Sequence, residues 1–347
     1  MILFVAHDPG AKNHLFPLYR HALRLGYAAR FLNLAQAELP CDPDNVETAF
    51  RDGVVKLLVC GCSVNRAEWR WVTKAKRLGI RTAMIIDIGT GSRIPEAASA
   101  DSPDQFLVTS YGCVDELRGL GFPSDLVHVT GSTHLEYLSL RDELKAQRSA
   151  VRRRYGLEGG RPIVSLFCPC DETTPGAWEA MVSGALSQLH ALLQNSCLCE
   201  WILIVRPHPR SSRAQITRLE EICRGLANVR PDGPGQVDTP SLLACSLFSL
   251  SLASTVSVES LVLGTPSAFF QMGWKYDEMD RFYVNLSCVP RLRTAAEFHE
   301  FVSGVVADPV KMIPKHSLDY TGATARSWES LRGLVDLDSA DRVAPIY

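Results

Sequence analysis

The sequence predicts an α/β protein made of two Rossmann-like, doubly wound domains. Apolar runs of strand length alternate with helix-length segments along most of the chain, an order typical of parallel sheets covered by helices on both faces. The 347 residues exceed what a single hydrophobic core usually serves, so two domains are expected. The stretch Gly159-Gly-Arg-Pro162 interrupts the alternation. We therefore expect an N-terminal domain over residues 1–157 and a C-terminal domain over residues 158–347.

The first series of elements contains six predicted strands. They are Ile2–Ala6, Ala28–Leu34, Val54–Cys60, Thr82–Asp87, Gln105–Thr109 and Val127–Thr130. Helices are predicted over Leu15–Leu25 and Arg66–Leu78, each followed by a glycine suited to a helix C-terminus. A long charged helix over about Leu135–Tyr155 comes next. Because its charges have mixed signs, we expect a solvated linker helix and not a nucleic-acid surface.

The second series repeats the alternation after residue 162. Its predicted strands are Ile163–Cys168, Trp201–Val205, Leu247–Ala253 and Ser267–Phe270. Its predicted helices are Ala177–Leu193, Arg213–Leu226, a short one after Ser254, Ala295–Val306 and Thr324–Leu334. We expect the last helix to pack back on the N-terminal domain.

Composition excludes several classes of protein. The net charge of −2 argues against bulk attraction to nucleic acid. No apolar run approaches about eighteen residues, and the N-terminus lacks the pattern of a signal peptide. The 11 cysteines are an odd number scattered through apolar segments, which favours reduced, buried thiols in a cytoplasmic protein. Their spacing does not match zinc knuckles, so we predict no metal site. The sequence is compatible with a homodimer.

The segment from Ser254 to Pro266 predicts an anion site in the C-terminal domain. Hydroxyls of Ser254, Thr255 and Ser257 cluster where a short helix starts after an apolar strand, and free N–H groups at a helix start favour phosphate. Glu259 has the wrong offset for a capping box, so it is available for ribose hydroxyls.

Other loops of the C-terminal domain follow predicted strands, and ligands bind at the carboxyl ends of strands in open α/β sheets. Arg206-Pro-His-Pro-Arg210 offers three donors suited to phosphate, namely Arg206, His208 and Arg210. Asp171 and Glu172 can bind sugar hydroxyls or a divalent ion, although a standard helix entry at the threonines before Pro175 explains this segment slightly better. Gly273 and its neighbour Trp274 can line a pocket, and Trp274 is as well explained by packing.

The first loop of the N-terminal domain offers acid–base chemistry. His14 falls at the start of the first helix, where a neutral imidazole is favoured and can act as a general base. Asp8 can orient it or serve as the base itself. The same residues also suit a plain turn and helix cap. Further candidates at strand ends are Asp87, Gly131 and His134.

Taken together, these motifs resemble the GT-B glycosyltransferases. Asn13-His-Leu-Phe-Pro17 is similar to the G-H-x-x-P segment of that family, with Asn13 in place of the usual glycine. Val129-Thr-Gly-Ser-Thr-His134 resembles the domain junction of these enzymes and of the related UDP-sugar 2-epimerases. His208-Pro209 and Ser254-Thr255 resemble the donor motifs of capsule- and teichoic-acid-type transferases.

The resemblance implies two domains that face a cleft, with His14 as the base acting on the acceptor. It also implies a CMP- or UDP-linked donor with its phosphates on the C-terminal motifs and its ribose on Glu259. The expected activity is inverting, metal-independent glycosyl transfer from a nucleotide sugar to a hydroxyl or amine, without a further cofactor. A nucleotide-sugar 2-epimerase or hydrolase is one alternative, although the G-x-R-P-E pattern usual in the first loop of those epimerases is absent. A non-catalytic nucleotide-sugar-binding protein of polysaccharide assembly is another.

Overall fold

The computed structural model describes most of the chain, and the structural statements below refer to that part. The described residues are 1–36, 48, 50–87, 93–94, 99, 101–141, 143–157, 160–169, 176–198, 200–233, 237–252, 254–272, 288–314 and 320–335. They form two compact units. The first unit holds residues 1–137 and a helix near the C-terminus, and the second holds the described residues from Leu138 to Pro314. None of the described helices is long and apolar enough to cross a membrane.

The first unit contains a six-stranded parallel sheet in the order β2-β1-β3-β4-β5-β6. Its strands are β1 Ile2–Ala6, β2 Ala29–Asn33, β3 Leu57–Cys60, β4 Arg81–Ile86, β5 Gln105–Val108 and β6 Val127–Val129. The central strands β1, β3 and β5 are buried along their whole length. Burial on both faces explains why they read as unbroken apolar runs.

The helices of the first unit cover both faces of this sheet. They are α1 Pro9–Arg24, α2 Trp69–Arg77, α3 Tyr111–Gly119, α4 Thr133–Ser139 and, near the C-terminus, α12 Ala323–Leu334. Trp328 and Leu331 of α12 belong to the same buried cluster as Leu15 and Leu18 of α1. Helix α12 is therefore part of the core of the first unit.

Two carboxylates secure elements of the first unit. Glu136 accepts hydrogen bonds from the N–H groups of Gly322 (2.6 Å) and Thr324 (2.7 Å) and so caps α12. Asp104 accepts from the Lys76 ammonium (2.5 Å) and from the N–H and hydroxyl of Thr82. Burial acts to raise the pKa of Asp104, but these hydrogen bonds outweigh it and hold that pKa below its ordinary value.

The second unit contains another parallel sheet, in the order β12-β11-β10-β7-β8-β9. Its strands are β7 Ile163–Phe167, β8 Ile202–Arg206, β9 Val229–Pro231, β10 Phe248–Ser251, β11 Ser267–Phe270 and β12 Arg291–Leu292. The short strands β9 and β12 form the edges, and the sequence analysis predicted neither of them.

The long helices of the second unit follow the predicted positions closely. The helices are α5 Glu143–Ala146, α6 Arg148–Arg154, α7 Ala177–Gln194, α8 Arg213–Arg224, α9 Thr239–Cys245, α10 Val256–Val262 and α11 Ala295–Ala307. Helices α8 and α11 each begin with a capping box, Ser212 with Gln215 and Thr294 with Glu297. Two backbone donors are thereby satisfied at each helix start.

The prediction of one long helix over Leu135–Tyr155 is wrong. That stretch contains three short helices, α4, α5 and α6. Leu138, Leu144 and Val151 are all buried. Because Leu138 and Leu144 are six positions apart, a continuous helix would place them about 120° apart around its axis, and the break between α4 and α5 turns both inward.

The described cysteines carry free thiols. Cys60, Cys62 and Cys168 are buried in apolar surroundings, and burial raises the pKa of each thiol. Burial also raises the pKa of Cys245 to about 11. These thiols pack as small apolar side chains and stay protonated at neutral pH.

Candidate functional site

Each sheet has one position where the order of strands reverses direction, and ligands of such sheets bind beside the carboxyl ends of the strands there. In the first sheet, β1 is followed by β2 on one side and by β3 on the other, so the reversal lies between β1 and β3. In the second sheet it lies between β7 and β10. The loops after these four strands, and after β8 beside β7, are the candidate sites.

In the second unit, Arg206 is committed to an internal ion pair. Its guanidinium contacts the buried carboxylate of Asp232 and donates to the carbonyl of Val237 (2.6 Å) and the hydroxyl of Thr239 (3.1 Å). The side chain of Asp232 is 0% exposed, so its charge needs this partner. The expectation that Arg206 binds a phosphate therefore loses its support. The sequence could not place Asp232 at the end of the neighbouring strand β9.

Two other predicted ligands of the loop after β8, His208 and Arg210, are more accessible than the Arg206–Asp232 pair. His208 is half-buried, and its Nδ1 accepts the N–H of Arg210 at 3.1 Å. In a neutral ring the proton then sits on Nε2, which makes Nε2 a donor. The side chain of Arg210 is exposed. Both residues retain the chemistry expected of phosphate ligands.

The loop after β10 brings Ser254 and Thr255 to the start of α10. Ser254 is half-buried, and its hydroxyl accepts the N–H of Val256 at 3.3 Å. Thr255 is the residue before α10, and its side chain makes no capping hydrogen bond. Glu259, in the first turn of α10, is also half-buried.

Ser257 has a different environment from its neighbours. It is 0% exposed, and its hydroxyl lies 2.8 Å from that of Ser251 on β10. This contact joins α10 to the sheet, so the expectation of Ser257 as a donor ligand is not supported by its position. Asp171, Glu172 and Gly273 lie outside the described residues.

In the first unit, His14 ties α1 to the turn before α4. Its Nδ1 donates to the carbonyl of Gly10 (3.0 Å), and its Nε2 then accepts from the hydroxyl of Ser132 (2.8 Å). Thr133 adds a bond to the carbonyl of His14 (2.6 Å). His14 is only 7% exposed. Its basic nitrogen is therefore used by Ser132.

Gly131 and His134 lie next to His14. Gly131 has a φ of +82°, a left-handed conformation that favours glycine and turns the chain from β6 towards α4. The ring of His134 lies 5.6 Å from that of His14 and is buried. The structure thus brings three predicted residues of the first unit together, but inside the protein.

Asp8 does not orient His14 in this structure. Its carboxylate contacts Nδ1 of His7 at 2.8 Å and accepts the N–H of Val64 at 3.2 Å. Nε2 of His7 in turn lies 3.1 Å from the amide nitrogen of Asn65. No sequence motif points to His7 or Asn65 as a site residue. Their signal was available, because His7 directly follows β1 and Asn65 follows β3, the two strands at the reversal point.

Asp87 follows β4 at the same edge of the first sheet and pairs with Arg93 (2.5 Å). Both side chains are nearly buried. Burial acts to lower the pKa of Arg93, but the carboxylate of Asp87 outweighs it and raises that pKa. An added Cβ at Gly10 would overlap the carboxylate of Asp87, so Asp87 lies against the first turn of α1. The expected Asp87 site is therefore an ion pair beside a helix start.

No group of three or more histidine, cysteine or acidic side chains is placed to hold a metal ion within the described part of the chain.

Solved structures of several other proteins are similar to this chain over nearly its whole length. The UDP-GlcNAc 2-epimerase from Neisseria meningitidis bound to UDP-GlcNAc has a TM-score of 0.71 and 13% identity, over 96% of this chain and 99% of that one. The Methanocaldococcus jannaschii UDP-GlcNAc 2-epimerase, in complex with UDP-GlcNAc and UDP, has a TM-score of 0.69 and 12% identity, over 96% and 99%. A glycosyltransferase from Rickettsia africae ESF-5 has a TM-score of 0.63 and 11% identity, over 97% and 99%.

No protein-family model matches the chain, and no curated protein matches it in sequence. The structural similarity covers nearly the whole length of each protein, with two parallel sheets and interleaved helices. The chain therefore has the two-domain, Rossmann-like α/β architecture of the GT-B fold, as the sequence analysis predicted.

Proposed function

We propose that this chain is an enzyme that acts on a nucleotide sugar, and that its reaction is metal-independent, inverting glycosyl transfer to a hydroxyl or amine. One observation carries the proposal. In the second sheet, loops with phosphate-binding chemistry follow β8 and β10, the two strands beside β7. His208 and Arg210 supply donors from one loop, and Ser254 and Thr255 supply hydroxyls from the other.

These residues divide the donor between them in the proposed complex. The phosphates bind His208, Arg210, Ser254 and Thr255, whereas Glu259 accepts hydrogen bonds from the ribose. Cationic and hydroxyl donors aimed at the leaving phosphate stabilise the charge that develops there as the sugar is transferred. The donor is a UDP- or CMP-linked sugar in this proposal.

For the acceptor, the sequence analysis assigned proton transfer to His14, and that assignment stays a prediction. For His14 to act, Ser132 must first leave its Nε2. The variant His14→Ala tests the role: loss of turnover with unchanged nucleotide affinity supports it, and full activity removes His14 from the mechanism.

A second candidate is a nucleotide-sugar 2-epimerase or hydrolase. It is favoured by a specific observation, because two solved structures with this fold and TM-scores of 0.71 and 0.69 are UDP-GlcNAc 2-epimerases. All these reactions need the same recognition of nucleotide and phosphate. They differ in what becomes of the sugar, which product analysis separates.

Thermal-shift titration with UDP, CMP, GDP and dTDP tests nucleotide binding directly. A nucleotide at a concentration of about 100 times its Kd stabilises the folded protein by roughly 2.7 kcal/mol, so a nucleotide that binds raises Tm measurably. Arg210→Ala and Ser254→Ala are expected to weaken the response. Arg224→Ala, an exposed arginine in the last turn of α8, serves as the control and keeps it.

The outcome with the four nucleotides decides the proposal. If none of them shifts Tm, the proposed function is contradicted. If one does, incubation with its sugar conjugates and chromatography of the products distinguishes a transferred sugar, an epimer and a free sugar.

A further inference from the structure

The reversal point of the first sheet carries a small polar constellation. His7 and Asp8 directly follow β1, and Ser63 and Asn65 follow β3. These are the two strands at whose carboxyl ends ligands of such a sheet bind. All four residues are therefore placed where a substrate of the first unit is expected.

The hydrogen bonds of Asn65 fix the orientation of its amide. Its Oδ1 accepts from the N–H of Ala67 at 3.0 Å. Because a backbone N–H can only donate, this contact identifies that atom as the oxygen. The amide nitrogen therefore faces Nε2 of His7, 3.1 Å away, and donates to it.

The orientation of Asn65 in turn fixes the tautomer of His7. Because Nε2 accepts a hydrogen bond, it carries the lone pair of a neutral ring. The proton then sits on Nδ1, which donates to Oδ1 of Asp8 at 2.8 Å. A carboxylate on Nδ1 and a lone pair on Nε2 are the arrangement required of a general base.

A buried carboxylate holds the two loops that carry these residues. Glu68 is 0% exposed, accepts the N–H of His7 (2.8 Å) and contacts both the N–H and the hydroxyl of Ser63. Asp8 adds a second link through the N–H of Val64. Glu68, directly before α2, and Asp8, shortly after β1, thus join the loops that follow β1 and β3, which preorganises the constellation.

We propose that His7 is the proton acceptor of the reaction, with Asp8 as its orienting carboxylate and Asn65 as a donor to the attacking oxygen. This inference rests on the proposed function and names its acid–base residues. It assigns to His7 the role that the first-loop motif suggested for His14.

The accessibility of the two histidines supports this choice. The side chain of His7 is 28% exposed, whereas His14 is 7% exposed. Nε2 of His7 also has a partner, so an acceptor hydroxyl reaches it only after the amide of Asn65 moves away. A hydroxyl placed between the two groups then donates its proton to Nε2 and accepts from the amide nitrogen, so both groups keep a hydrogen bond.

The acceptor hydroxyl loses its proton to Nε2 of His7, and its oxygen lone pair forms the bond to the anomeric carbon. The bond from that carbon to the phosphate oxygen breaks, and its electron pair leaves with the nucleotide. Imidazolium forms beside Asp8, whose carboxylate stabilises it, and the proton then passes to solvent.

The kinetic test uses the whole chain with UDP-GlcNAc and follows release of UDP. We expect His7→Ala to lower kcat by about 10²–10⁴-fold, the usual contribution of a general base, with the nucleotide thermal shift unchanged. Added imidazole should restore part of the activity of His7→Ala, which a structural role would not explain. His7→Asn keeps a donor near the position of Nδ1 and should fold normally but stay inactive. His128→Ala, an exposed histidine on β6, is the matched control.

Two results would overturn the proposal. One is activity of His7→Ala within twofold of the parent protein. The other comes from long-range ¹H–¹⁵N spectra of the imidazoles, assigned with His7→Ala, if they show His7 protonated on Nε2 and not on Nδ1. If the parent protein binds no nucleotide, the proposed function fails, and the tautomer measurement still decides the geometry of the dyad.

Discussion

The buried pair of Arg206 and Asp232 provides a sharp test of how the second unit is built. In Arg206→Met, the carboxylate of Asp232 stays in a site where its side chain is 0% exposed and has lost its counter-charge. Removing one partner of a buried pair costs about 3–5 kcal/mol of unfolding free energy. For a unit of this size each kcal/mol lowers Tm by about 2–4 °C, so the expected drop is roughly 6–20 °C.

Differential scanning calorimetry of three variants measures the effect. The double variant Arg206→Met/Asp232→Asn should recover part of the loss, because no buried charge remains unpaired. Arg218→Ala is the control: Arg218 also contacts two carboxylates, those of Glu179 and Glu221, but all three side chains are exposed. Exposed pairs contribute little, so its Tm should barely change.

The same variants separate structure from ligand binding at Arg206. Below its own Tm, Arg206→Met should keep the affinity of the parent protein for the nucleotide found by thermal shift. A variant that unfolds at the parent temperature but has lost nucleotide binding would refute the assignment of Arg206 to the ion pair and restore it as a phosphate ligand.

Three further predictions concern the first unit. In urea unfolding, Gly61→Ala should lower the free energy of unfolding by about 1–3 kcal/mol, because an added Cβ would overlap the Cβ of Ala11. The control Gly184→Ala has open space on α7 and should raise the free energy of unfolding by roughly 0.5–1 kcal/mol. The folded pKa of Asp104 lies below its unfolded value of about 3.9, so its stabilisation is present above that pH and lost as the pH falls through the folded pKa. Asp104→Asn should therefore be less stable than the parent protein at pH 7, with a difference that shrinks at pH 3. Glu136→Gln should speed amide hydrogen exchange in the first turn of α12 more than elsewhere, and uniform exchange would contradict its capping role.

The sequence predicted most of the architecture because burial on both faces of a sheet leaves a strong signal. Strands β1, β7 and β11 lie where the apolar runs placed them. The missed strands are short edge elements. In β9, Val229–Pro231, the third residue is a proline, and β12 has only two residues, Arg291–Leu292, so neither contains a periodic pattern.

The site was less predictable, because residue type does not reveal which partners the fold supplies. Arg206 was singled out as a cation after a strand, but the carboxylate that binds it lies 26 residues further along, at the end of β9. His14 matched a motif, and Ser132, 118 residues away, occupies its Nε2. His7 belongs to none of the motifs that indicate acid–base chemistry.

The hydrogen-bond partners of the candidate side chains also indicate which of them are placed for ligand binding or proton transfer. Arg206, His14 and Ser257 have the residue types of ligands, yet each is bound to another element of its own unit. His7 is also bound: Asp8 sets its Nδ1 as the donor, and the amide of Asn65 occupies its Nε2 in a side chain that is 28% exposed. Both histidines therefore need a partner to leave Nε2 before they can take a proton. What favours His7 over His14 is the carboxylate that orients its ring and its greater exposure to an acceptor.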